Sequence, residues 1–182
     1  MKRNFIKFCL YTSLIVTIVS TIFIDKNNAN DVIKMLTKII SVSEFIIIVY
    51  CKWGWKILFL NFFKVKNLNG VWECTLQYNY ANENRVKVTN IIIKQDLFGI
   101  QINMTSDETA SCSINASIER EHGIEYLIYT YKTETKLIYR EQNRDQFGAA
   151  KLLIKDINTM EGEYWTNNRT IGTMKLTKKV KK

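Results

Sequence analysis

Residues that build metal sites and nucleophilic active sites are scarce in this sequence. The cysteines, which show no C-x-x-C spacing, are Cys9, Cys51, Cys74 and Cys112. Two of the four lie in strongly apolar segments, so a disulfide framework or a zinc site is not expected. The one histidine, His122, lies in a Glu-His-Gly stretch that is typical of a turn between strands rather than of a general base.

Signature motifs of catalysis and of phosphate binding are also missing. The chain has no P-loop, no G-x-G-x-x-G, no G-x-S-x-G and no H-E-x-x-H. Aspartate and glutamate are scattered over turn-like stretches instead of being gathered as metal ligands. We therefore expect no enzymatic activity, no catalytic residues, no metal and no cofactor.

Positive charge is concentrated in the first third of the chain. Residues 1–66 hold ten basic and three acidic residues, and residues 67–182 hold sixteen and fourteen. Four of the later lysines belong to the C-terminal end, and without them the second region has a formal charge of −2. Because duplex binding needs a basic surface, we expect no DNA or RNA duplex as partner. Basic residues beside apolar segments favour membrane orientation and contact with anionic lipids.

The first apolar segment is long enough to span a bilayer. Residues 8–24 read FCLYTSLIVTIVSTIFI and follow Lys2, Arg3 and Lys7, which meets the minimum of about 17 residues for a spanning helix. A cleaved signal peptide is the alternative, but no A-x-A-like cleavage site follows. The sequence predicts a transmembrane helix over about 6–24.

A second apolar segment is interrupted by Lys34 and Lys38 and ends at Lys52-Trp53-Gly54-Trp55-Lys56. Tryptophan and lysine together are typical of a membrane interface, which predicts a helix over about 33–52. Residues 57–63 are mostly apolar again. If the Lys52 side chain extends to the membrane surface from within the span, the helix therefore continues to about 63. Glu44 either faces a partner helix or lies near a polar turn.

The distribution of lysine and arginine predicts the topology. Seven basic residues flank the side that holds the N-terminus and the end of the second helix, against three in the connection. By the positive-inside rule, the N-terminus and everything after residue 66 lie in the cytosol. The protein is then a multi-pass protein of the bacterial inner membrane.

After Asn67 the pattern changes to period-two alternation rich in Ile, Val, Thr and Tyr, which is typical of half-buried strands. Turn-prone clusters divide this region into eight strands. We predict them at about 70–78, 85–95, 99–105, 110–119, 123–132, 147–154, 159–166 and 170–178, with one long turn over 133–147.

Eight antiparallel strands can close around one small ligand. We expect an all-β, eight-stranded antiparallel up-and-down barrel over 67–178, an α-helical transmembrane hairpin in 1–66, and a basic tail at 179–182.

Polar residues alternate with apolar ones along several predicted strands, and this pattern does not show which strand face points into the barrel. Thr105 belongs to one polar face and Ser111 and Ser113 to another, and each face points either into the barrel or to solvent. Tyr129 and Tyr131 share a face that is core or ligand-stacking surface.

Several fragments together carry a family resemblance. In order, they are Leu68-Asn69-Gly70-Val71-Trp72, Ile91-Ile92-Ile93-Lys94-Gln95, Thr105, Ser111-x-Ser113, Tyr129-x-Tyr131 and Gly162 to Gly172 with Tyr164-Trp165. Behind two predicted membrane helices, this order resembles the two-transmembrane β-barrel effectors of CBASS antiphage operons over almost the whole chain. The sequence departs from the expected pattern at Gln146-Phe147-Gly148, where His-Gly would be unsurprising.

The resemblance implies a function and a site. A partner CD-NTase makes a cyclic oligonucleotide, expected to be a dinucleotide, and the barrel binds it. The effectors then oligomerise through their membrane helices, disrupt the inner membrane and cause abortive infection. Thr105, Ser111 and Ser113 would contact phosphate or ribose. The base-stacking candidates are Tyr129, Tyr131 and Tyr164, and the rim donors are Arg169 and Thr170.

Two other functions fit the same sequence. A lipocalin-like barrel with its polar faces outward would bind an apolar ligand. A structural envelope protein would carry an exported barrel, and strands without proline and poor in glycine do not distinguish that case.

Overall fold

The computed structural model describes residues 9–18, 29–57, 65–80, 83–140 and 144–179. The chain divides into two compact units, Met1–Val65 and Lys66–Lys182. In the first unit, residues 9–18 form helix α1. Helix α2 spans Ala29–Lys52, and a short 3-10 helix follows at Gly54–Lys56. The second predicted helix therefore begins four residues earlier than expected, and its possible extension to 63 lies outside the described residues.

Among these described segments, no helix combines the length and the apolar composition needed to cross a bilayer. Only residues 9–18 of the first apolar segment are described. The second helix carries charged residues along its length, namely Asp31, Lys34, Lys38, Glu44 and Lys52. The transmembrane hairpin therefore stays a prediction.

The second unit is a closed eight-stranded barrel in which every strand pairs antiparallel with its neighbours in sequence and β8 pairs with β1. The strands are β1 Gly70–Tyr80, β2 Glu83–Gln95, β3 Ile100–Thr105, β4 Thr109–Glu121, β5 Ile124–Thr135, β6 Gln146–Ile154, β7 Thr159–Thr166 and β8 Ile171–Lys178. The predicted eight-stranded up-and-down barrel is confirmed.

Strand β5 is longer than the sequence pattern predicted. It runs to Thr135, and a short 3-10 helix, Leu137–Tyr139, follows. The added residues continue the ladder because Thr133 pairs with Gln146, and the Thr135 amide donates to Asp145 Oδ1 at 3.0 Å. The predicted long turn over 133–147 is correspondingly shorter.

One end of the barrel interior is filled with apolar side chains, and we call it the packed end. Here the turns β2–β3, β4–β5 and β6–β7 meet the start of β1. Fully buried side chains include Leu68, Trp72, Ile91, Leu127, Leu152, Met160 and Leu176. Leu68 precedes β1, and the others alternate with more exposed residues along their strands, which places them on the inner face.

The segment before β1 closes the packed end. Trp72 Nε1 donates to the Leu68 carbonyl at 2.9 Å. Gln95, which is buried, accepts from the Leu68 amide at 2.7 Å and donates to the Lys66 carbonyl at 3.2 Å. Lys178 donates to the Asn67 carbonyl at 3.1 Å, and burial lowers its pKa. Backbone groups that would otherwise be unsatisfied are thus paired, which buried polar groups require.

Candidate ligand-binding site

The opposite end of the barrel, which we call the open end, contains a cavity of about 760 Å³. This volume falls within the range of about 300–1,000 Å³ that is typical of small-molecule sites. Its walls come from the end of β1, the start of β2, and the strand ends around the β3–β4, β5–β6 and β7–β8 connections. Its floor is apolar and is formed by Leu76, Ile91, Ile102, Met104 and Met174.

Four tyrosines line the cavity: Tyr78, Tyr129, Tyr131 and Tyr164. They come from β1, β5 and β7, where each occupies an inward position of the alternating pattern. The rings of Tyr129 and Tyr131 have centroids 5.7 Å apart and planes inclined by 43°. Tyr78 lies four strands around the ring from the β5 pair, so aromatic surface is present on opposite walls.

Small residues directly across the ladder make room for the tyrosine rings. Gly148 pairs with Tyr131 and Gly172 pairs with Tyr164. A Cβ atom at Gly148 would collide with the hydroxyl end of the Tyr131 ring, and one at Gly172 would lie 2.6 Å from the Tyr164 ring. These rings therefore lie across glycine backbone, which a larger residue would prevent.

Burial raises the pKa of three of the cavity tyrosines. Desolvation raises the pKa of Tyr129 and Tyr131 far above its ordinary value, and it raises the pKa of Tyr164 to about 12. The Tyr129 hydroxyl donates to Met174 Sδ at 3.6 Å. At physiological pH these groups are neutral donors and acceptors on aromatic surfaces, which suits an uncharged planar ring.

Hydroxyl groups form a second feature of the wall. Ser111 Oγ and Thr133 Oγ1 are 2.7 Å apart across β4 and β5. Thr89 Oγ1 donates to the Thr105 carbonyl at 3.1 Å. Thr109, Thr166 and Thr170 also line the cavity. Hydroxyls both donate and accept, so this wall can bind sugar hydroxyls, base edges or phosphate oxygens.

Three charged residues line the cavity: Arg85, Lys87 and Glu108. The Lys87 ammonium lies 3.8 Å from the Glu108 carboxylate, and the side chains are 36% and 44% exposed. Arg85 lies 3.4 Å from Glu83, and both side chains are at least half exposed. Exposed ion pairs of this kind contribute at most about 1 kcal/mol. An anionic ligand can therefore take both cations from their carboxylates at little cost.

The structure places five of the eight residues expected in the site on the cavity wall. They are Ser111, Tyr129, Tyr131, Tyr164 and Thr170. The other three, Thr105, Ser113 and Arg169, do not belong to the lining. Thr105 is exposed and alternates with inward-facing Met104, so its side chain is on the outer face.

Ser113 is engaged in the barrel wall itself. A register shift separates Ser113 from Asn115 in the pairing of β4 with β5, which marks a β-bulge. Ser113 Oγ accepts from the Ile102 amide at 2.9 Å and so supplies a partner to neighbouring β3. A contact of Ser113 with ligand stays a prediction.

Arg169 lies in the β7–β8 turn with a positive φ of 62° and an exposed side chain. Its amide donates to the Thr166 carbonyl at 3.0 Å, and the Thr166 amide donates to the Thr170 carbonyl at 3.0 Å. The turn therefore fixes Thr170 on the wall, whereas the Arg169 guanidinium lies outside the lining. Its role as a rim donor also stays a prediction.

Several lining residues were not identified from the sequence. Arg85 and Lys87 lie near the start of β2, ahead of the apolar run Ile91–Ile93, so charge there looked like ordinary solvent exposure. Their odd-numbered spacing with Thr89, Ile91 and Ile93 places them on the inner face. This spacing could have identified both residues from the sequence, because the inner face of β2 continues from the apolar floor of the cavity to its rim.

Comparison with known proteins shows the family of this chain. Residues 63–178 match the family model described as "Cap15, cyclic dinucleotide receptor domain". CD-NTase-associated protein 15 of Staphylococcus schleiferi is 36% identical over 148 residues, covering 80% of each chain. A redesigned β-barrel of known structure matches with a TM-score of 0.36 and 10% identity, covering 62% of this chain and 92% of its own. The sequence and family matches confirm the expected kinship: this chain belongs to the Cap15 family of cyclic dinucleotide receptor domains.

Proposed function

We propose that this protein is the effector of a CBASS antiphage system and that its barrel cavity binds a cyclic dinucleotide made by a partner CD-NTase. One observation carries the proposal. In a chain of the cyclic dinucleotide receptor family, a single cavity combines tyrosine rings, hydroxyl groups and two cations at its mouth. The protein then acts as a receptor and not as an enzyme.

Each part of the cavity matches one part of such a ligand. Base–aromatic stacking contributes about 1–3 kcal/mol per base, and Tyr131, Tyr164 and Tyr78 supply rings on separate walls. The Ser111–Thr133 pair and Thr170 supply hydroxyls for ribose or base edges. Arg85 and Lys87 supply positive charge for the two phosphates, where charge-assisted hydrogen bonds are the stronger class.

The predicted helices supply the response. In this proposal the N-terminal segments span the inner membrane, with the N-terminus and the barrel in the cytosol. Ligand binding causes the chains to oligomerise through these helices, which disrupts the membrane and ends infection by death of the host cell. The ligand can drive this change only by its difference in affinity for the resting and assembled forms.

The lipocalin-like function makes a different prediction for the cavity. An apolar ligand requires a dry, mainly hydrophobic lumen, whereas the apolar side chains here fill the packed end and form only the floor of the cavity. Arg85, Lys87 and Glu108 at the mouth would gain nothing from an apolar ligand.

The test is a calorimetric titration of the full-length protein in detergent micelles. The panel contains cyclic di-AMP, cyclic di-GMP, cyclic GMP–AMP, cyclic tri-AMP and the linear dinucleotide pApA. We expect one cyclic dinucleotide to bind at one site per barrel and the linear form to bind much more weakly. Silence across the panel from a folded protein, with binding of a fatty acid, would favour the lipocalin-like function instead.

A further inference from the structure

The turns at the packed end carry large apolar side chains, although turns are usually built from small and polar residues. Phe98 lies in the β2–β3 turn, Ile124 begins β5 directly after the β4–β5 turn, and Ile157 lies in the β6–β7 turn. The three side chains are 63%, 47% and 55% exposed. We call these three residues the turn tips. Exposed apolar groups that are gathered at one end of a molecule commonly mark an interaction site.

Two of the turns are closed by an aspartate and not by their apolar residue. Asp96 Oδ1 accepts from the amides of Phe98 and Gly99 at 2.8 and 3.0 Å. In the β6–β7 turn, Asp156 Oδ1 accepts from the Asn158 amide at 2.6 Å. Aspartate side chains that bind the backbone in this way are sufficient to form a turn. The exposed apolar side chains are therefore not needed for the local structure.

The chain enters the barrel at the same end. Lys66 Nζ lies 3.0 Å from the Glu125 carboxylate and donates to the Ile154 carbonyl at 3.4 Å. These contacts fix the start of the barrel unit beside the β4–β5 and β6–β7 turns. Both predicted membrane helices precede Lys66 in the sequence. A membrane anchor in those helices therefore tethers the barrel by its packed end, whereas the ligand cavity lies at the other end.

Basic residues accompany the turn tips. They belong to the strand ends beside the turns and to the sequence that follows β8, and they are Lys94, Lys155, Lys178, Lys179, Lys181 and Lys182. Lys155 and Lys179 pair with exposed carboxylates, and exposed pairs of this kind are weak. Within the described residues, Lys94 is exposed and makes no ion pair. Apolar side chains accompanied by lysines fit the surface of an anionic bilayer.

The open end also exposes apolar side chains, and it provides a comparison. Leu137 and Ile138 are 77% and 81% exposed. They are consecutive residues of one short 3-10 helix, whereas the turn tips belong to three separate connections. Exposure alone therefore does not distinguish the two ends of the barrel. The entry of the chain does, because only the packed end is tethered directly to the N-terminal segments.

We infer that the packed end of the barrel rests on an anionic phospholipid bilayer, with the turn tips inserted at the boundary between headgroups and acyl chains. This inference rests on the membrane location in the proposed function and adds a contact made by the barrel itself. The three turns are distributed around the barrel, since they join different pairs of strands. Contact of all three with the bilayer holds the barrel axis upright and keeps the cavity mouth away from the lipid.

Photo-crosslinking to lipid tests this contact on the full-length protein in nanodiscs of phosphatidylcholine and phosphatidylglycerol. The probe p-benzoylphenylalanine replaces Phe98 in one variant, Ile157 in a second and the more exposed Ile138 in the control. Mass spectrometry measures the yield of protein–lipid adducts. We expect yields at positions 98 and 157 about tenfold above that at 138, and a severalfold fall without phosphatidylglycerol. Equal yields at 98 and 138, or no adducts at 98 and 157, would overturn the inference.

A second experiment asks whether the turn tips act together. The probe is placed at Ile124, and Phe98→Ser and Ile157→Ser are added. Both turns keep their aspartate bonds in this variant, so the barrel should fold as in the wild type. We expect the adduct yield at position 124 to fall about fivefold, because two of the three inserted groups are lost. The matched control adds Leu137→Ser and Ile138→Ser instead and should leave that yield unchanged. Equal losses from the two pairs would contradict a contact at the packed end.

Failure of the proposed function is measured separately. Flotation of the wild-type protein with phosphatidylcholine liposomes measures anchoring, and the calorimetric titration measures nucleotide binding. If the protein floats and binds a cyclic dinucleotide but positions 98 and 157 give no lipid adducts, the inference is wrong and the proposed function stands. If no nucleotide binds while both positions still give adducts, the lipid contact is supported and the receptor function is wrong.

Discussion

The two ends of the barrel interior are built on the same eight strands but hold different side chains. At the packed end, Trp72, Leu127 and Leu152 are fully buried and fill the space between the strands. At the open end, the inward positions of the same strands carry Tyr78, Tyr131 and other polar or aromatic residues around a cavity. Stability is therefore concentrated at one end and ligand recognition at the other.

This separation has a physical basis. A small barrel gains most of its free energy of folding from apolar burial, at roughly 25 cal/mol per Å². A cavity with charged and hydroxyl groups gives up part of that gain. Packing at one end, with the closing bonds of Gln95 and Trp72, allows the other end to remain hollow.

The largest expected effect lies at the packed end. Trp72→Ala removes a fully buried ring and its bond to the Leu68 carbonyl, so we expect a loss of about 3–5 kcal/mol in the free energy of unfolding. Urea unfolding followed by circular dichroism measures it. Trp165→Ala, at a ring that is 46% exposed, is the matched control and should cost about 1 kcal/mol or less. Similar losses for both variants would contradict the division of the interior.

The next effect concerns recognition at the open end. Arg85→Gln combined with Lys87→Gln should weaken cyclic dinucleotide binding about 100-fold, since each charged hydrogen bond contributes about 1.5–3 kcal/mol. The salt dependence of binding should also become shallower. Calorimetry at two salt concentrations measures both changes, and the free energy of unfolding should change by less than about 1 kcal/mol.

Two single substitutions show whether this loss is specific to the cavity lining. Lys94→Gln, at an exposed position on the same strand, should leave binding within about twofold of wild type. Arg169→Ala, on the rim but outside the lining, should weaken binding by no more than about threefold. A larger loss from Arg169→Ala would extend the site to the β7–β8 turn.

The smallest effect is visible only at alkaline pH. The pKa of Tyr129 is raised by burial, so above about pH 10 the unfolded chain releases a proton that the folded chain keeps. Stability should therefore fall with rising pH by about 1.4 kcal/mol per pH unit for each such tyrosine. Tyr129→Phe should flatten this slope by that amount and leave stability near pH 7.5 almost unchanged. An unchanged slope in urea titrations at pH 10–11 would contradict the burial of this hydroxyl.

Much of the barrel could be predicted from the sequence because strand formation depends on local alternation. The predicted strand at 159–166 coincides with β7, and the other bounds differ by at most three residues. The end of β5 was missed because its pairing with Gln146 joins residues across a loop, and no local pattern records that contact.

The site was only partly predictable for a related reason. Tyr129, Tyr131 and Tyr164 drew attention because of their residue type, and they do line the cavity. Thr105 and Ser111 looked equivalent, yet one lies on the outer face and the other on the inner face. Alternation defines two faces of a strand without showing which face points into the barrel. In β4, the bulge after Ser113 also exchanges the faces of the odd- and even-numbered residues that follow.

By itself, the sequence determined the number of strands, their antiparallel order and the apolar character of the N-terminal segments, because these depend on composition and short-range periodicity. Only the tertiary structure decided where the interior is packed and where it is hollow. That division depends on register, which sets Gly148 opposite Tyr131 and Gly172 opposite Tyr164 and brings Arg85 and Lys87 to the same mouth. Register joins residues far apart in the chain, and closure of the barrel fixes it because every strand must pair on both sides.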